Sequence, residues 1–201
     1  MFKLKKSNDQ LEPRKVILFS GHMIDKSDRK IPRFPPEIEP AVTREISKKL
    51  NTLNTGSQDL ALCGGACGGD LIFAELCLKR NAHLEIRIPF NEPEFLIKSV
   101  NFAGSKWQSR FYRVKENPNT KLLVMPNEIT HIQQEVNPYE QNNIWQLERT
   151  FTWNTKKVNF ICLWDRKTGD GPGGTKHMYD EVQKRNGNVL VIDINLFMGR
   201  T

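Results

Sequence analysis

The segment LALCGGACGGDLIFAELCLKRNAHLEIRIPF, residues 60–90, decides the fold of this 201-residue chain. It begins with four apolar residues, breaks into a glycine-rich turn at 64–70, continues as an apolar helix to Leu78, and ends in a second apolar run at 83–88. A buried strand, a tight turn, a helix and another buried strand form a βαβ unit, which joins two parallel strands. Because the helix is apolar on nearly all sides, we expect neighbours on two sides of it.

The same alternation continues on both sides of this segment. Apolar runs predict further strands at 16–19, 122–125, 158–164 and 188–194. Helical spacing of apolar residues predicts helices at 36–50, at 95–114 in one or two pieces, at 139–153, and around Met178 and Val182. The sequence therefore predicts an α/β fold: a single Rossmann-like three-layer domain over 14–201, with a mostly parallel, doubly wound sheet of about six strands. Residues 1–13 form a basic N-terminal arm.

Composition excludes several classes of protein. Hydrophobic residues make up 38% of the chain and charged residues 26%, which is typical of a globular protein and not of a disordered or fibrous one. No apolar run approaches the length of a membrane span, and the first ten residues lack the apolar core of a secretory signal. We therefore expect a cytoplasmic location. The four Cys and four His lack metal-ligand spacing, so we expect buried thiols, no metal and no other cofactor.

The formal net charge of +7 raises nucleic acid or phosphate as a partner. Residues 1–33 hold nine Lys and Arg against four Asp and Glu, so the rest of the chain is nearly neutral. Basic segments of this kind are usually solvated, and we expect this one to lie away from the glycine-rich loops. Anion binding is then assigned to backbone N–H groups.

Two glycine-rich loops, 64–70 and 169–175, each follow a buried strand and open a helix. Such a loop lets a ligand approach the backbone, and the helix start aims N–H groups at an anion. Neither loop fits the dinucleotide or Walker fingerprint, and a tight turn with Asp70 as N-cap is the structural alternative for the first. Both loops and Gly21-His22 end strands of a parallel sheet, so they meet at one edge, where ligands bind near the switch in strand order.

We therefore predict a nucleotide site at this edge. Its predicted contacts are Gly21, His22, Gly64, Gly65, Ala66, Gly68, Gly69, Asp70, Asn142, Asn143, Asp165, Gly171, Gly173, Gly174 and Thr175.

Five side chains at this edge each have two interpretations. Arg29 and Arg33 either clamp a phosphate or are exposed loop charges. Asn142 and Asn143 either read a base edge or cap a helix. Asp165 either holds a ribose hydroxyl or starts a turn. The four tryptophans lie on apolar faces, so we expect them in the core rather than as stacking platforms for bases.

The same loops resemble the SLOG superfamily of Rossmann-like domains, which includes the LOG phosphoribohydrolases, the DNA-processing protein DprA and the YspA-like (YAcAr) proteins. Residues 60–90 are similar to the family's strand, GGAxGxD turn, helix and strand. VILFSGHMID (16–25) matches its opening strand and turn. FICLWDRKTGDGPGGTKHMYDEVQKRNGNVLVIDI (160–194) resembles its last strand, glycine-rich turn, helix and strand. The resemblance covers roughly residues 14–195 and implies a nucleotide-type ligand and, as is common in this superfamily, a homo-oligomer.

The chain departs from the LOG enzymes at their catalytic pair. NPYEQNNIWQL (137–147) falls where those enzymes carry an Arg before a helix, and Met178 falls where they carry a Glu. Glu181 lies three residues further on. Without a cation for the ribose phosphate and a carboxylate for the leaving group, hydrolysis of an N-glycosidic bond loses both supports. The resemblance therefore implies binding more than catalysis.

Three functions follow from these patterns. The first is a sensor or regulatory module that binds a nucleotide or nucleotide-derived small molecule. The second is a nucleoside-phosphate N-glycosidase that uses His22, Asp180 or Glu181 in place of the usual pair. The third, motivated by the basic charge, is DprA-like binding of single-stranded DNA, against which the near-neutral body argues. None of the three needs a membrane.

Overall fold

A computed structural model describes residues 12–126, 137–167 and 174–199. Within these residues six strands form one parallel sheet: β1 Val16–Gly21, β2 Leu60–Cys63, β3 His83–Ile88, β4 Thr120–Val124, β5 Val158–Trp164 and β6 Asn188–Asp193. The order across the sheet is β4-β3-β2-β1-β5-β6. Six helices accompany it: α1 Glu39–Thr52, α2 Gly69–Leu78, α3 Glu92–Ser99, α4 Ser105–Lys115, α5 Pro138–Thr150 and α6 Thr175–Lys184. The predicted fold class is confirmed.

The position of β1 determines where a ligand can enter. Successive strands are added on one side of β1 up to β4, and the chain then returns to place β5 on its other side. Val16 of β1 pairs with both Leu60 of β2 and Val158 of β5, so β1 is central. In an open parallel sheet, the loops that leave the two neighbouring strands turn to opposite faces at such a reversal and leave a crevice outside the carboxyl ends of the strands. The switch point lies between β1 and β5.

Helices cover both faces of the sheet, so the core has two layers. Alternate residues of β1 point to opposite faces: Ile17 and Phe19 join the core beneath α1 to α4, while Val16 and Leu18 join the core beneath α5 and α6. Helix α2 is buried along nearly its whole length, since it packs against β1 and β3 as well as α1 and α4. The expectation that α2 has neighbours on two sides is confirmed.

The predicted strands and helices are confirmed, with boundaries that differ by a few residues. The helical stretch predicted over 95–114 is two helices, because the chain passes through a short 3₁₀ turn and reaches Gly104 at φ +94° before α4 begins. All four cysteines are buried free thiols, and burial raises the pKa of each of them.

The tryptophan prediction is wrong at one position. Trp107 and Trp164 are buried, and half-buried Trp153 packs against the core beneath α5 and α6, but half-buried Trp145 joins neither core. The two half-buried rings are covered by guanidinium groups: the Arg87 Cζ lies 4.2 Å from the Trp145 ring, and the Arg149 Cζ lies 4.2 Å from the Trp153 ring. An arginine stacked on an aromatic face shields it from water without a surrounding apolar core.

In the described part of the chain, no helix is both long and apolar enough to cross a membrane.

Candidate functional site

A cavity of about 560 Å³ opens at the carboxyl edge of the sheet, where β1, β2 and β5 end. Its volume lies within the range of small-molecule sites. The structure brings most of the predicted site residues to its lining, namely Gly21, His22, Arg29, Arg33, Gly64, Ala66, Asp70, Asn142, Asn143, Gly174 and Thr175. Gly171 and Gly173 lie outside the described residues. The predicted convergence of the strand ends is therefore observed for the described residues.

The loop after β1 folds back on itself and carries positive charge into this cavity. The carboxylate of Asp25 accepts hydrogen bonds from the backbone N–H groups of Arg33 (2.8 Å) and Phe34 (3.0 Å). Phe34 is fully buried and anchors the end of the loop. Lys26, Arg29 and Arg33 consequently line the same cavity as the glycine-rich loops. The expectation that the basic residues before position 34 lie away from those loops is wrong for these three, because the Asp25 turn reverses the chain.

His22, Asp165 and Arg33 form a cluster at the switch point between β1 and β5. Arg33 Nε donates to Asp165 Oδ2 at 3.2 Å, and His22 Nε2 accepts from the Asp165 backbone N–H at 3.3 Å. Burial and the nearby Arg33 charge lower the pKa of His22, and Asp165 offsets this only in part. His22 is therefore neutral at pH 7. The same Nε2 lies 3.5 Å from Asp165 Oδ1.

The carboxylate of Asp165 remains ionised. Burial raises its pKa, but the Lys167 N–H, His22 and Arg33 outweigh burial and bring the pKa below its usual value. Its side chain is held by Arg33 and by the Lys167 N–H, at 3.2 and 3.0 Å. Asp165 is not among the described residues that line the cavity, but it orients Arg33, which is.

Helix α6 begins at the same end of the cavity. Gly174 is its N-cap residue and Thr175 its first residue, and both line the cavity. The Thr175 and Ser20 hydroxyl oxygens lie 3.2 Å apart, which fixes the Thr175 side chain against the end of β1. Free N–H groups and the helix dipole at such a terminus attract anions. Arg33 and the α6 N-terminus thus offer donors to an anion in the cavity, whose lining also includes the carboxylates of Asp25 and Asp28.

The glycine-rich loop after β2 differs, because it already holds a carboxyl group. Asp70 Oδ2 accepts a hydrogen bond from the Ala66 N–H at 3.3 Å. Burial raises the pKa of Asp70 to about 7, although the N–H groups of Ala66, Gly64 and Gly65 favour the ionised form. Asp70 is not the N-cap of α2, since Gly68 holds that position without a side-chain hydrogen bond. The backbone N–H groups that we assigned to a ligand anion thus face the chain's own carboxyl.

Three predicted glycines of this loop serve close packing. A Cβ at Gly65 would lie 2.6 Å from Ile86 Cγ2, and a Cβ at Gly68 would lie 2.5 Å from the backbone nitrogen of Ile24. Both residues have positive φ, +74° and +101°. Gly69 lies against the ring of Phe19. These contacts press the loop onto β3 and onto the loop after β1.

Helix α5 contributes a polar face that the sequence revealed only in part. Asn142 and Gln146 are one turn apart on α5, are 4% and 2% exposed, and both line the cavity. Their side-chain oxygens are buried and have no hydrogen-bond partner among the described residues. We missed Gln146, although its i+4 spacing from Asn142 places the two side chains on one helical face.

Apolar side chains that the sequence did not single out complete the cavity. Phe95, Phe102, Tyr139 and Trp164 come from α3, the 3₁₀ turn, α5 and the end of β5. Aromatic walls with a few converging polar groups are usual in sites for small organic ligands. We predicted that Trp164 lies in the core because its strand is apolar. The apolar pattern does not show that part of the indole faces the cavity.

Glu181 does not reach the cavity in the part of the chain that the structure describes. Its carboxylate bonds Lys184 at 2.8 Å and lies 3.4 Å from Arg185, on the outer face of α6. Asp180 pairs with Lys176 on the same helix. Across residues 12–126, 137–167 and 174–199, no group of three or more His, Cys, Asp or Glu is placed to hold a metal ion.

Comparisons with known proteins return solved structures that include the following two. The Moco carrier protein from Chlamydomonas reinhardtii is 12% identical over 89% of this chain and 76% of its own, with a TM-score of 0.43. DNA processing protein A from Helicobacter pylori, described with a single-stranded DNA binding mode, is 11% identical over 93% of this chain and 80% of its own, with a TM-score of 0.39. No family model and no curated protein matches the chain. The Rossmann-like fold implied by the SLOG resemblance is the fold observed.

Proposed function

We propose that this chain binds a nucleotide or nucleotide-derived small molecule in the cavity at the switch point and acts as a sensor or regulatory module. The observation that carries this proposal is the set of polar groups that line the cavity. The lining combines Arg29, Arg33 and the N-terminus of α6 with the amide side chains of Asn142 and Gln146 on α5; Asp25 and Asp28 also line it, and Asp25 Oδ1 lies 3.4 Å from Arg29 Nε. A nucleotide has matching groups, an anionic phosphate and a hydrogen-bonding base.

The phosphate of the proposed ligand lies beside Arg33 and the N-terminus of α6. Arg33 is 14% exposed and is oriented by Asp165, so little side-chain freedom is lost when an anion binds. Thr175 supplies a hydroxyl beside the first N–H groups of α6. An arginine, a hydroxyl and a helix N-terminus are the usual partners of a phosphate in proteins. The aromatic side chains of the lining offer surfaces for a base and sugar.

Isothermal titration with nucleoside monophosphates, ADP-ribose, cyclic dinucleotides and the matching nucleosides tests this proposal. We expect at least one phosphorylated ligand to bind, and its nucleoside to bind at least about tenfold more weakly, because charge-assisted hydrogen bonds to phosphate are lost. Thr175→Val should weaken binding, whereas Thr52→Val, at the exposed end of α1, should not. The absence of binding across the panel, or equal binding of nucleoside and nucleotide, contradicts the proposal.

Two further measurements test the other two functions. An N-glycosidase would release free base from a nucleoside monophosphate; of its three candidate residues, only His22 lines the cavity in the described chain, and His22 is held by Asp165. A DprA-like protein would bind single-stranded DNA with an affinity that falls steeply with salt. Base release or such a salt dependence would replace the sensor proposal.

A further inference from the structure

A second cavity, of about 400 Å³, opens at the edge of the sheet where the strands begin. Its lining includes residues at or near the start of β2, β3 and β4, together with residues at and just after the end of α5. Because all the strands are parallel, this edge lies opposite the one that holds the first cavity. Within the described chain, the two cavities share no lining residue. The second one, which we call the amino-edge cavity, is therefore a separate place for a ligand.

The amino-edge cavity lies on the face of the sheet that α5 covers. Glu85 of β3 pairs with Leu62 of β2 on one side and with Lys121 of β4 on the other. Residues that pair in this way point to the same face, and Leu62 joins the core beneath α5 and α6. Helix α5 packs over β1, β2 and β3, whereas Lys121 on the edge strand β4 is exposed. Glu85 and Lys121 thus occupy the part of this face where the helix cover ends.

The guanidinium group of Arg149 is held in place at this cavity. Its Nε and Nη2 donate hydrogen bonds to the Glu85 carboxylate, at 3.1 and 2.7 Å, and its Cζ lies 4.2 Å from the Trp153 ring. Burial raises the pKa of Glu85, but the hydrogen bonds and charges of Arg149 and Arg87 outweigh burial and hold the pKa below its usual value. The ionised carboxylate therefore fixes Arg149, whose side chain has little freedom left to lose when an anion binds.

Three donors at the amino-edge cavity have no partner among the described residues: Arg149 Nη1, Lys121 Nζ and Trp153 Nε1. Neither Arg149 Nη1 nor Trp153 Nε1 belongs to the buried side-chain atoms that lack a partner, and Lys121 is an exposed residue, so solvent reaches all three. These nitrogens can only donate hydrogen bonds. Glu85 is the single acid of the described lining, and it already binds Arg87 and Arg149. The cavity thus presents accessible donors and a surplus of positive charge.

We propose that the amino-edge cavity binds a small organic anion, whose carboxylate or phosphate oxygens accept hydrogen bonds from Arg149 Nη1, Lys121 Nζ and the Trp153 indole N–H. Hydrogen bonds between charged groups of this kind are about twice as strong as neutral ones. The volume of the cavity suits a small molecule. This site goes beyond the proposed nucleotide function and does not depend on it.

The surroundings of Trp153 disfavour a single-stranded nucleic acid at this cavity. Bases bind such proteins by stacking on open aromatic faces. The Arg149 guanidinium covers one face of the Trp153 ring, and the ring also packs against the core beneath α5 and α6. The indole therefore contributes its N–H group rather than a stacking surface.

NMR titration of the full, ¹⁵N-labelled chain tests the site, because the indole N–H signal of Trp153 reports on this cavity directly. The probes are inorganic phosphate and, separately, succinate, each compared with KCl at the same ionic strength. We expect at least one of the two anions to shift the Trp153 signal saturably, with a dissociation constant on the order of 1 mM. KCl should leave the signal in place.

Two lysine variants test the contribution of Lys121. Lys121→Gln should weaken binding of the anion by about threefold to tenfold, since one charge-assisted hydrogen bond is lost. Lys79→Gln is the matched control, because it removes the same charge from another exposed lysine, at the end of α2, and it should bind as the wild type does.

The outcomes separate this site from the proposed nucleotide site. A Trp153 signal that neither anion shifts, or that KCl shifts equally, overturns the amino-edge site, and so does an unchanged affinity in Lys121→Gln. A shift confined to the indole signal of Trp164, which lines the first cavity, overturns the amino-edge site and leaves the nucleotide site standing. Should Lys121→Gln fail to fold, the wild-type comparison of the anions with KCl still decides, since it needs no variant.

Discussion

The loop after β1 and the loop after β2 reach the same cavity, but the carboxyl groups of the two loops have different roles. The loop after β2 turns its backbone N–H groups onto its own carboxyl, Asp70. The loop after β1 uses the carboxylate of Asp25 to close its own turn, and so places Arg33 at the cavity. In the glycine-rich loop the backbone N–H groups bind the chain's own carboxyl, whereas the loop after β1, which has no glycine, brings Arg29 and Arg33 to the cavity together with Asp25 and Asp28. A glycine-rich turn beside a strand thus signals close packing as readily as anion binding.

The largest expected effect tests whether the glycines after β2 serve packing. Gly68→Ala should lower the free energy of unfolding by about 2–4 kcal/mol, because a residue with φ +101° is strained and its Cβ would lie 2.5 Å from the Ile24 nitrogen. Denaturant unfolding measures the change. Gly56→Ala, with no atom within 4 Å of its Cβ, is the control and should change stability little. An unchanged midpoint for Gly68→Ala would show that this loop is not held by packing.

The next effect tests the cationic role of the loop after β1. Arg33→Gln should weaken nucleotide binding by about ten- to a hundredfold, since a charge-assisted contact to phosphate is lost. The variant also removes the partner of Asp165, so its thermal stability has to be measured alongside its affinity. Arg44→Gln, exposed on α1, should bind like the wild type. Equal affinity for Arg33→Gln would remove this loop from the anion site.

A smaller effect concerns the carboxyl group buried after β2. With its pKa raised to about 7, native Asp70 keeps its proton between pH 4 and 7, where the unfolded chain has lost it. The stability contributed by this group therefore falls as pH rises through that window, by up to about 1.4 kcal/mol per pH unit. Asp70→Asn should lose this slope.

Denaturant unfolding of the wild type and of Asp70→Asn at pH 5.5 and 6.5 measures how the contribution of Asp70 to the free energy of unfolding changes with pH. His22 acts in the opposite direction, because its native pKa is lowered and protonation favours the unfolded chain below its ordinary pKa. Both proteins keep His22, so the difference between them isolates Asp70. Parallel pH profiles would mean that Asp70 is ionised throughout and that burial does not raise its pKa.

The last substitution, at Glu181, is expected to have no effect on nucleotide affinity. Glu181→Gln should leave nucleotide affinity within about twofold, since Glu181 pairs with Lys184 and Arg185 outside the cavity and surface ion pairs contribute little. Titration of the variant with the same nucleotide measures this. A large loss of affinity, or the loss of a base-releasing activity, would return Glu181 to the site and favour the glycosidase.

Periodicity and turn residues were sufficient to predict the fold, because each strand is a separate apolar run and each helix has a distinct apolar face. The meeting of Gly21, Gly64 and Gly174 at one edge also followed from parallel strand order. The position of Arg33 did not, because it depends on a hydrogen bond that the Arg33 backbone N–H donates to the Asp25 carboxylate, eight positions earlier. Nor did the internal role of Asp70, which depends on a side-chain rotamer that sequence patterns do not encode.

A crystal structure of the chain with a bound nucleoside monophosphate tests the nucleotide site most directly. We expect the phosphate within hydrogen-bond distance of Thr175 and the Arg33 guanidinium, and the base inside the same cavity. A nucleotide bound elsewhere with this cavity empty, or a phosphate placed on the loop after β2 with Asp70 displaced, would contradict the proposed site.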